Sequence, residues 1–255
     1  MFKTTYAGNA APRDNPIHSA GFRDYDFVVP TSAAKDLAAS PEWQSKLKGF
    51  GLIGLASLLA ILLAGPAWFR ALLVLAWAKC SGTPYRDIGF VRPRSWAITL
   101  LSGGLFGVAL KILLKALVMP LLGAPPTNQT YHYLVGNSAA LPGILLMLTI
   151  SAGFGEETVF RGYLFERCRT TLGPGRAATI ATTLITSAIF ALAHYVDQGW
   201  PGVEQAFFTG LTFATLFVLA GNLWLPMITH AAFDLTALAV IYWNLESRIA
   251  HLVFP

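Results

Sequence analysis

The chain has 255 residues, of which 55% are hydrophobic and only 12% charged, with a formal net charge of +5. Soluble domains carry about 25% charged residues, so this composition excludes an ordinary water-soluble enzyme and makes the membrane span, roughly 20 apolar residues, the natural unit. The positive charge is not gathered into Lys/Arg runs with interleaved aromatics, so nucleic acid is not an expected partner.

Residues 1–48 read as a polar cytoplasmic tail. Pro12, Pro16, Pro30 and Pro41 are spread through it, and the apolar run of a signal peptide is missing from its first 30 residues. Residues 36–48 suit a short amphipathic surface helix, with Trp43 and Leu47 four apart. Residues 49–84 hold an apolar stretch interrupted by Arg70 and by Gly65-Pro66, which predicts either a transmembrane hairpin or one kinked helix. Residues 79–94 form a basic loop with Arg86, Arg92 and Arg94.

Residues 96–122 are the next apolar stretch. Lys111 and Lys115 lie one turn apart in it, facing a neighbour or snorkelling to an interface. An uncharged loop over 124–137 precedes a third stretch, 139–155. A charged helical segment, 156–176, ends at Gly173-Pro174-Gly175. Residues 177–195, 206–220 and 223–243 are the last apolar stretches, with a loop predicted at 196–205, and residues 244–255 read as a short tail.

The fold class is therefore all-α, a polytopic transmembrane helical bundle of about six or seven spans. Most loop arginines lie in 79–94 and 161–176, which the positive-inside rule places in the cytoplasm. Cys80 and Cys168 belong to no paired motif and read as free thiols. The sequon at Asn128-Gln129-Thr130 is read as chance, and Asn222 as a helix cap.

Ionisable groups within apolar spans cost about 2.5–3.5 kcal/mol each on insertion scales, so those retained point to function. Glu157 and Arg161 stand i and i+4 and can pair on one helix face. Glu156 is turned about 100° away from Glu157 on an α-helix and stays available for chemistry. His194 ends the run Phe190-Ala191-Leu192-Ala193. His230 and Asp234 are again i and i+4, so the carboxylate can fix the tautomer of His230.

Brought together, these groups make a general-base hydrolase. Glu156 takes a proton from water, His194 holds that water, and His230 stabilises the oxyanion. The bland alternatives are an interfacial helix start for Glu156-Glu157 and an interfacial histidine for His194. Phe160, Tyr163, Phe165, Phe207, Phe208 and Phe213 read as packing and lipid-facing groups.

The ordered set Glu156-Glu157-x-x-x-Arg161, Phe190-x-x-x-His194 and His230-x-x-x-Asp234 resembles the CPBP intramembrane metalloprotease family, the CAAX protease and bacteriocin-processing family. The basic segment 87–93 resembles the loop preceding that family's core, so the likeness covers about residues 85–243. The resemblance implies a membrane-embedded CAAX prenyl protease-like endopeptidase with Glu156 as base, His194 positioning water, and His230 with Asp234 holding the oxyanion. Its expected partners are the lipid bilayer and a protein or peptide substrate in the membrane, and its expected place is a bacterial cytoplasmic membrane.

The family's last motif usually ends in Asn, where this chain has Asp234. An amide donates to an oxyanion and an ionised carboxylate does not, so Asp234 acts either protonated or by orienting His230. No cofactor is expected. A zinc protease is an alternative, although His-Glu-x-x-His is absent, and so is a non-catalytic binding or immunity protein. Oligomeric state and substrate identity leave no mark in the sequence.

Overall fold

The structure, a computed structural model, describes residues 41–254. The expected tail over residues 1–40 lies outside them. Among the described residues the architecture is wholly helical. In chain order the helices are α1 Glu42–Lys48, α2 Leu52–Leu63 and α3 Ala67–Ser81, then α4 Trp96–Leu121, α5 Ser138–Leu172, α6 Arg176–Ala193, α7 Tyr195–Ala220 and α8 Trp224–Tyr242. A short α9, Glu246–Ala250, follows.

Helices α4 to α8 are each long and apolar enough to cross a membrane, and this is an integral membrane protein. The expected six or seven spans come down to five, or six if α1 and α2, bent by 53°, count as one. The reason lies in residues 50–78, which divide into two helices of 12 and 15 residues, each too short to span alone.

These two helices form the hairpin alternative. Both ends of the hairpin meet at Arg167, whose guanidinium lies over Phe50 before α2 and Trp77 late in α3. Arg167 also donates to the backbone carbonyls of Lys48 and Gly49, and α1 docks nearby, where Trp77 Nε1 donates to the Leu47 carbonyl. At the other end the chain turns through Gly65 at φ +48°. Arg70 Nε donates to the carbonyls of Ala64 and Gly65 there, satisfying acceptors that the end of α2 leaves open. The start of α3 lies against the middle of α5. A Cβ at Gly155 would sit 2.7 Å from the Ala67 carbonyl carbon, so only glycine permits that approach.

Helices α4 and α8 approach as closely, since a Cβ at Gly107 would lie 2.3 Å from the carbonyl oxygen of Thr229. This contact sets the α4 lysines beside the α8 histidine and aspartate. Helix α5 departs from α geometry: Met147–Glu156 and Thr158–Leu164 are π-helical, the kind of insertion that often marks functional sites.

The loop expected at 196–205 is instead part of α7. A turn of helix runs to the break at Gly199, φ +61°, and helix resumes around Pro201. Proline is tolerated in the first turn of a helix, where its missing N–H is not needed, so Gly-x-Pro restarts a helix here and does not stop one. The expected tail over 244–255 is likewise partly core. Glu246 is buried and accepts from Lys115 Nζ at 3.2 Å and from the Asn128 backbone N–H at 3.1 Å. The sequon asparagine caps a local turn by accepting from Thr130 N–H, and Asn222 caps α8 by accepting from Trp224 and Leu225. Cys80 and Cys168 are free thiols.

Candidate active site

The polar residues singled out in the sequence meet in one half of the bundle, around a cavity of about 200 Å³. Glu156 on α5, His194 after α6, and His230 and Asp234 on α8 all line it. Lys111, Lys115, Tyr131, Gln198, Gln205 and Glu246 are among its other polar groups, while Leu134, Ile144, Leu148, Leu238 and Ile241 supply apolar walls.

Glu157 and Arg161 make the expected pair, with Arg161 Nη1 donating to Glu157 Oε1 at 2.9 Å. Both side chains are almost fully buried. Arg161 Nη2 also donates to the Gly210 carbonyl at 3.1 Å, and its guanidinium lies 4.2 Å from the Phe190 ring centre. The pair is held from three sides, by α5, α6 and α7.

The same Glu157 oxygen accepts from His230 Nδ1 at 2.7 Å, so Glu157 joins the support of Arg161 to the support of His230. A carboxylate neutralised by a guanidinium accepts and does not donate, so the hydrogen resides on Nδ1. The opposite nitrogen, Nε2, lies 3.4 Å from Asp234 Oδ2. His230 is thus strung between two carboxylates, and Asp234 stands where it orients the ring. Phe213 stacks on the imidazole with ring centres 4.7 Å apart.

His194 is set by the end of α6. Its Nδ1 donates to the Phe190 carbonyl at 2.8 Å, a group that the helix terminus leaves without an amide partner. A carbonyl only accepts, so in the neutral ring Nε2 carries the lone pair. That nitrogen faces Glu156 Oε2 at 4.0 Å, beyond direct hydrogen-bond range. Glu156 itself makes no ion pair with Arg161: α5 turns one carboxylate into the guanidinium cluster and its neighbour toward the cavity.

On the rim, Gln198 Nε2 donates to the Tyr131 hydroxyl at 3.3 Å. Burial, with Asp197 nearby, pushes the Tyr131 phenol above its usual range, so it stays neutral. Among the described residues no three His, Cys, Asp or Glu side chains gather as ligands, since the histidine nitrogens are directed at Glu157, Asp234, Glu156 and a backbone carbonyl.

Three features escape the sequence reading. Phe213, read as packing, is the ring that supports His230. Lys111 turns into the cavity, where Nζ donates to Gln205 Oε1 at 3.1 Å, whereas Lys115 turns to Glu246. The Glu157–His230 bond joins groups 73 positions apart. The lysine spacing was a signal for Lys111; no local signal existed for the other two.

Residues 138–236 match the sequence model of a family described as Type II CAAX prenyl endopeptidase Rce1-like. The matched segment contains Glu156, Glu157, Arg161, His194, His230 and Asp234. No curated protein and no solved structure matches the chain.

Proposed function

We propose that this integral membrane protein, whose residues 138–236 match the model of a CAAX-type endopeptidase family, is an endopeptidase. It cuts a membrane-associated or lipidated protein or peptide with water activated by Glu156. The carrying observation is the facing pair of Glu156 Oε2 and His194 Nε2, 4.0 Å apart on the cavity wall. A gap of that size is bridged by one water hydrogen-bonded to both.

In this reaction Glu156 accepts a proton from the water as its oxygen attacks the scissile carbonyl carbon. The carbonyl becomes a tetrahedral oxyanion, and His230, an imidazolium between two carboxylates, turns part of its Nε2–H bond from Asp234 to it. Asp234 and Glu157 hold that ring at its two nitrogens, and Phe213 covers its face. Collapse breaks the C–N bond, and the proton held by Glu156 passes to the leaving amine. Donors fixed before the reaction are worth more in a dry site than in water, and the Arg161–Glu157–His230 chain fixes this one. The setting we propose is a bacterial cytoplasmic membrane.

The test is the full chain in phospholipid vesicles, offered a pool of membrane-soluble peptides and assayed by mass spectrometry. Glu156→Gln keeps shape and removes the base, so cleavage should fall about 10²- to 10⁴-fold while folded yield stays level. Cleavage by Glu156→Gln at the wild-type rate overturns the assignment. Cleavage that a chelator abolishes and zinc restores favours the metalloprotease alternative. If neither protein cleaves, yet Glu156→Gln fully replaces wild type in protecting cells, the chain is a binding or immunity protein.

A further inference from the structure

Away from the active site, the outer face of α6 and α7 carries a second concavity. Thr179, Thr183 and Leu184 of α6 and Thr215, Val218 and Leu219 of α7 line a groove of about 230 Å³. Both helices are long and apolar enough to cross a membrane, so the groove faces lipid. Thr179 lies in the first turn of α6 and Leu219 in the last turn of α7, which puts the groove at the arginine end of the bundle. Its threonines do not make it polar. The hydroxyls of Thr179 and Thr215 donate to the carbonyls four residues back, those of Gly175 and Leu211, and their methyl groups are left for the groove. These short side chains stand beside the longer, exposed Ile180, Leu184 and Leu219, and the difference in length opens the trough.

At its mouth the groove meets a cation. Arg169 Nη1 donates to Thr179 Oγ1 at 2.6 Å and to the Gly175 carbonyl at 3.3 Å. A guanidinium has five N–H donors, and these bonds occupy only Nη1. Among the described residues no carboxylate pairs with Arg169, and its side chain is only half-buried. Thr179 therefore serves both parts: its oxygen holds the guanidinium, and its side chain lines the groove.

An apolar trough that ends at an unneutralised guanidinium, at the depth of a membrane interface, complements a molecule in which a hydrocarbon chain is tied to an anion. A soluble phosphate offers the anion without the chain. We propose that the α6–α7 groove binds an anionic glycerophospholipid of the surrounding membrane, one acyl chain lying along the threonines and the phosphate on Arg169. Peptide cleavage plays no part in this, so the lipid site and the endopeptidase reading stand or fall separately.

The test is native mass spectrometry of the full chain in detergent, given equimolar dioleoyl phosphatidylglycerol and dioleoyl phosphatidylcholine, whose chains are identical. Wild type should retain phosphatidylglycerol about fivefold over phosphatidylcholine, the factor expected from one basic residue at an anionic surface. Arg169→Gln should bring that ratio close to one, and Arg169→Lys should keep it. Thr183→Phe fills the trough with Arg169 in place and should lower retention of both lipids about tenfold. It also carries the test if Arg169→Gln folds poorly.

Equal retention of the two lipids by wild type, a preference that survives in Arg169→Gln, or undiminished retention in Thr183→Phe overturns the proposal. So does displacement of the lipid by glycerol phosphate at equal concentration, which would leave the groove no role. A wild-type dimer that Thr183→Phe dissolves would show that a second copy covers the groove, and overturns it as well.

Discussion

Apart from the exposed pairs Lys46–Glu42 and Arg86–Asp87, the two ends of the helical bundle use their charges differently. At the end formed by the 82–95 loop and the α5–α6 turn, guanidinium groups serve the backbone. Arg167 donates to the carbonyls of Lys48 and Gly49, and Arg169 to the Gly175 carbonyl and the Thr179 hydroxyl. These contacts tie loops and helix ends down and leave nothing facing a cavity. At the other end, charged side chains meet charged side chains around a cavity. Lys115 takes Glu246, His230 takes Glu157 and approaches Asp234, Glu156 faces His194, and Lys111 donates to the amide of Gln205. One end spends its polar groups on shape, and the other keeps some of them reactive.

That contrast can be broken deliberately. Glu156→Gln carries the largest expected effect, the 10²- to 10⁴-fold loss of cleavage given above, with no cost in folding. Its neighbour should behave in the reverse sense. Glu157→Ala strands both Arg161 and His230 in a buried site, at a cost of about 3–5 kcal/mol, and Arg161→Ala strands Glu157. Both should show in detergent as loss of monodisperse protein and a lowered unfolding temperature. The double change Glu157→Gln with Arg161→Met should recover part of the loss, because no bare charge remains.

At the arginine end, Arg167→Ala removes hydrogen bonds from a charged donor, worth about 1.5–3 kcal/mol. It should loosen α1 and the foot of the α2–α3 hairpin, seen as proteolysis near residues 48–50, while the protein that stays folded keeps its turnover. An equal loss of turnover and stability in that variant would erase the distinction between the ends. The smallest effect is expected at Asp234. In Asp234→Asn the amide oxygen still accepts from His230 Nε2–H, so kcat/KM should change by less than about tenfold. Asp234→Leu, which cannot hold the ring, should lose more activity without losing folded yield.

Much of this was legible in the sequence wherever the information is local. Apolar length marked α4 to α8, and the i, i+4 spacing marked the Glu157–Arg161 and His230–Asp234 neighbours. Asn222 was readable as a cap from its place in a short turn. One local reading failed because the same residues have two structural meanings. Gly199 and Pro201 punctuate a loop or restart a helix, and only packing around α7 decides which. The apolar run 50–64 left a hairpin and a kinked helix both open, and the contacts of Phe50 and Trp77 with Arg167 favour the hairpin.

The site's central link was not legible at all. Glu157 reaches His230 because α5 and α8 are packed together, and helix periodicity says nothing about which faces of distant helices meet. The π-helical turns were equally hidden. The separation of Glu156 from Glu157 expected from α-helical rotation holds in a wider helix because Arg161 and His230 fix where Glu157 points.

The cavity lies in the half of the bundle away from the arginines. Clusters of Lys and Arg resist being carried across the membrane during insertion and stay on the side of synthesis. By that rule the arginine-rich end would sit on the side of synthesis, with the cavity in the half of the bundle away from it.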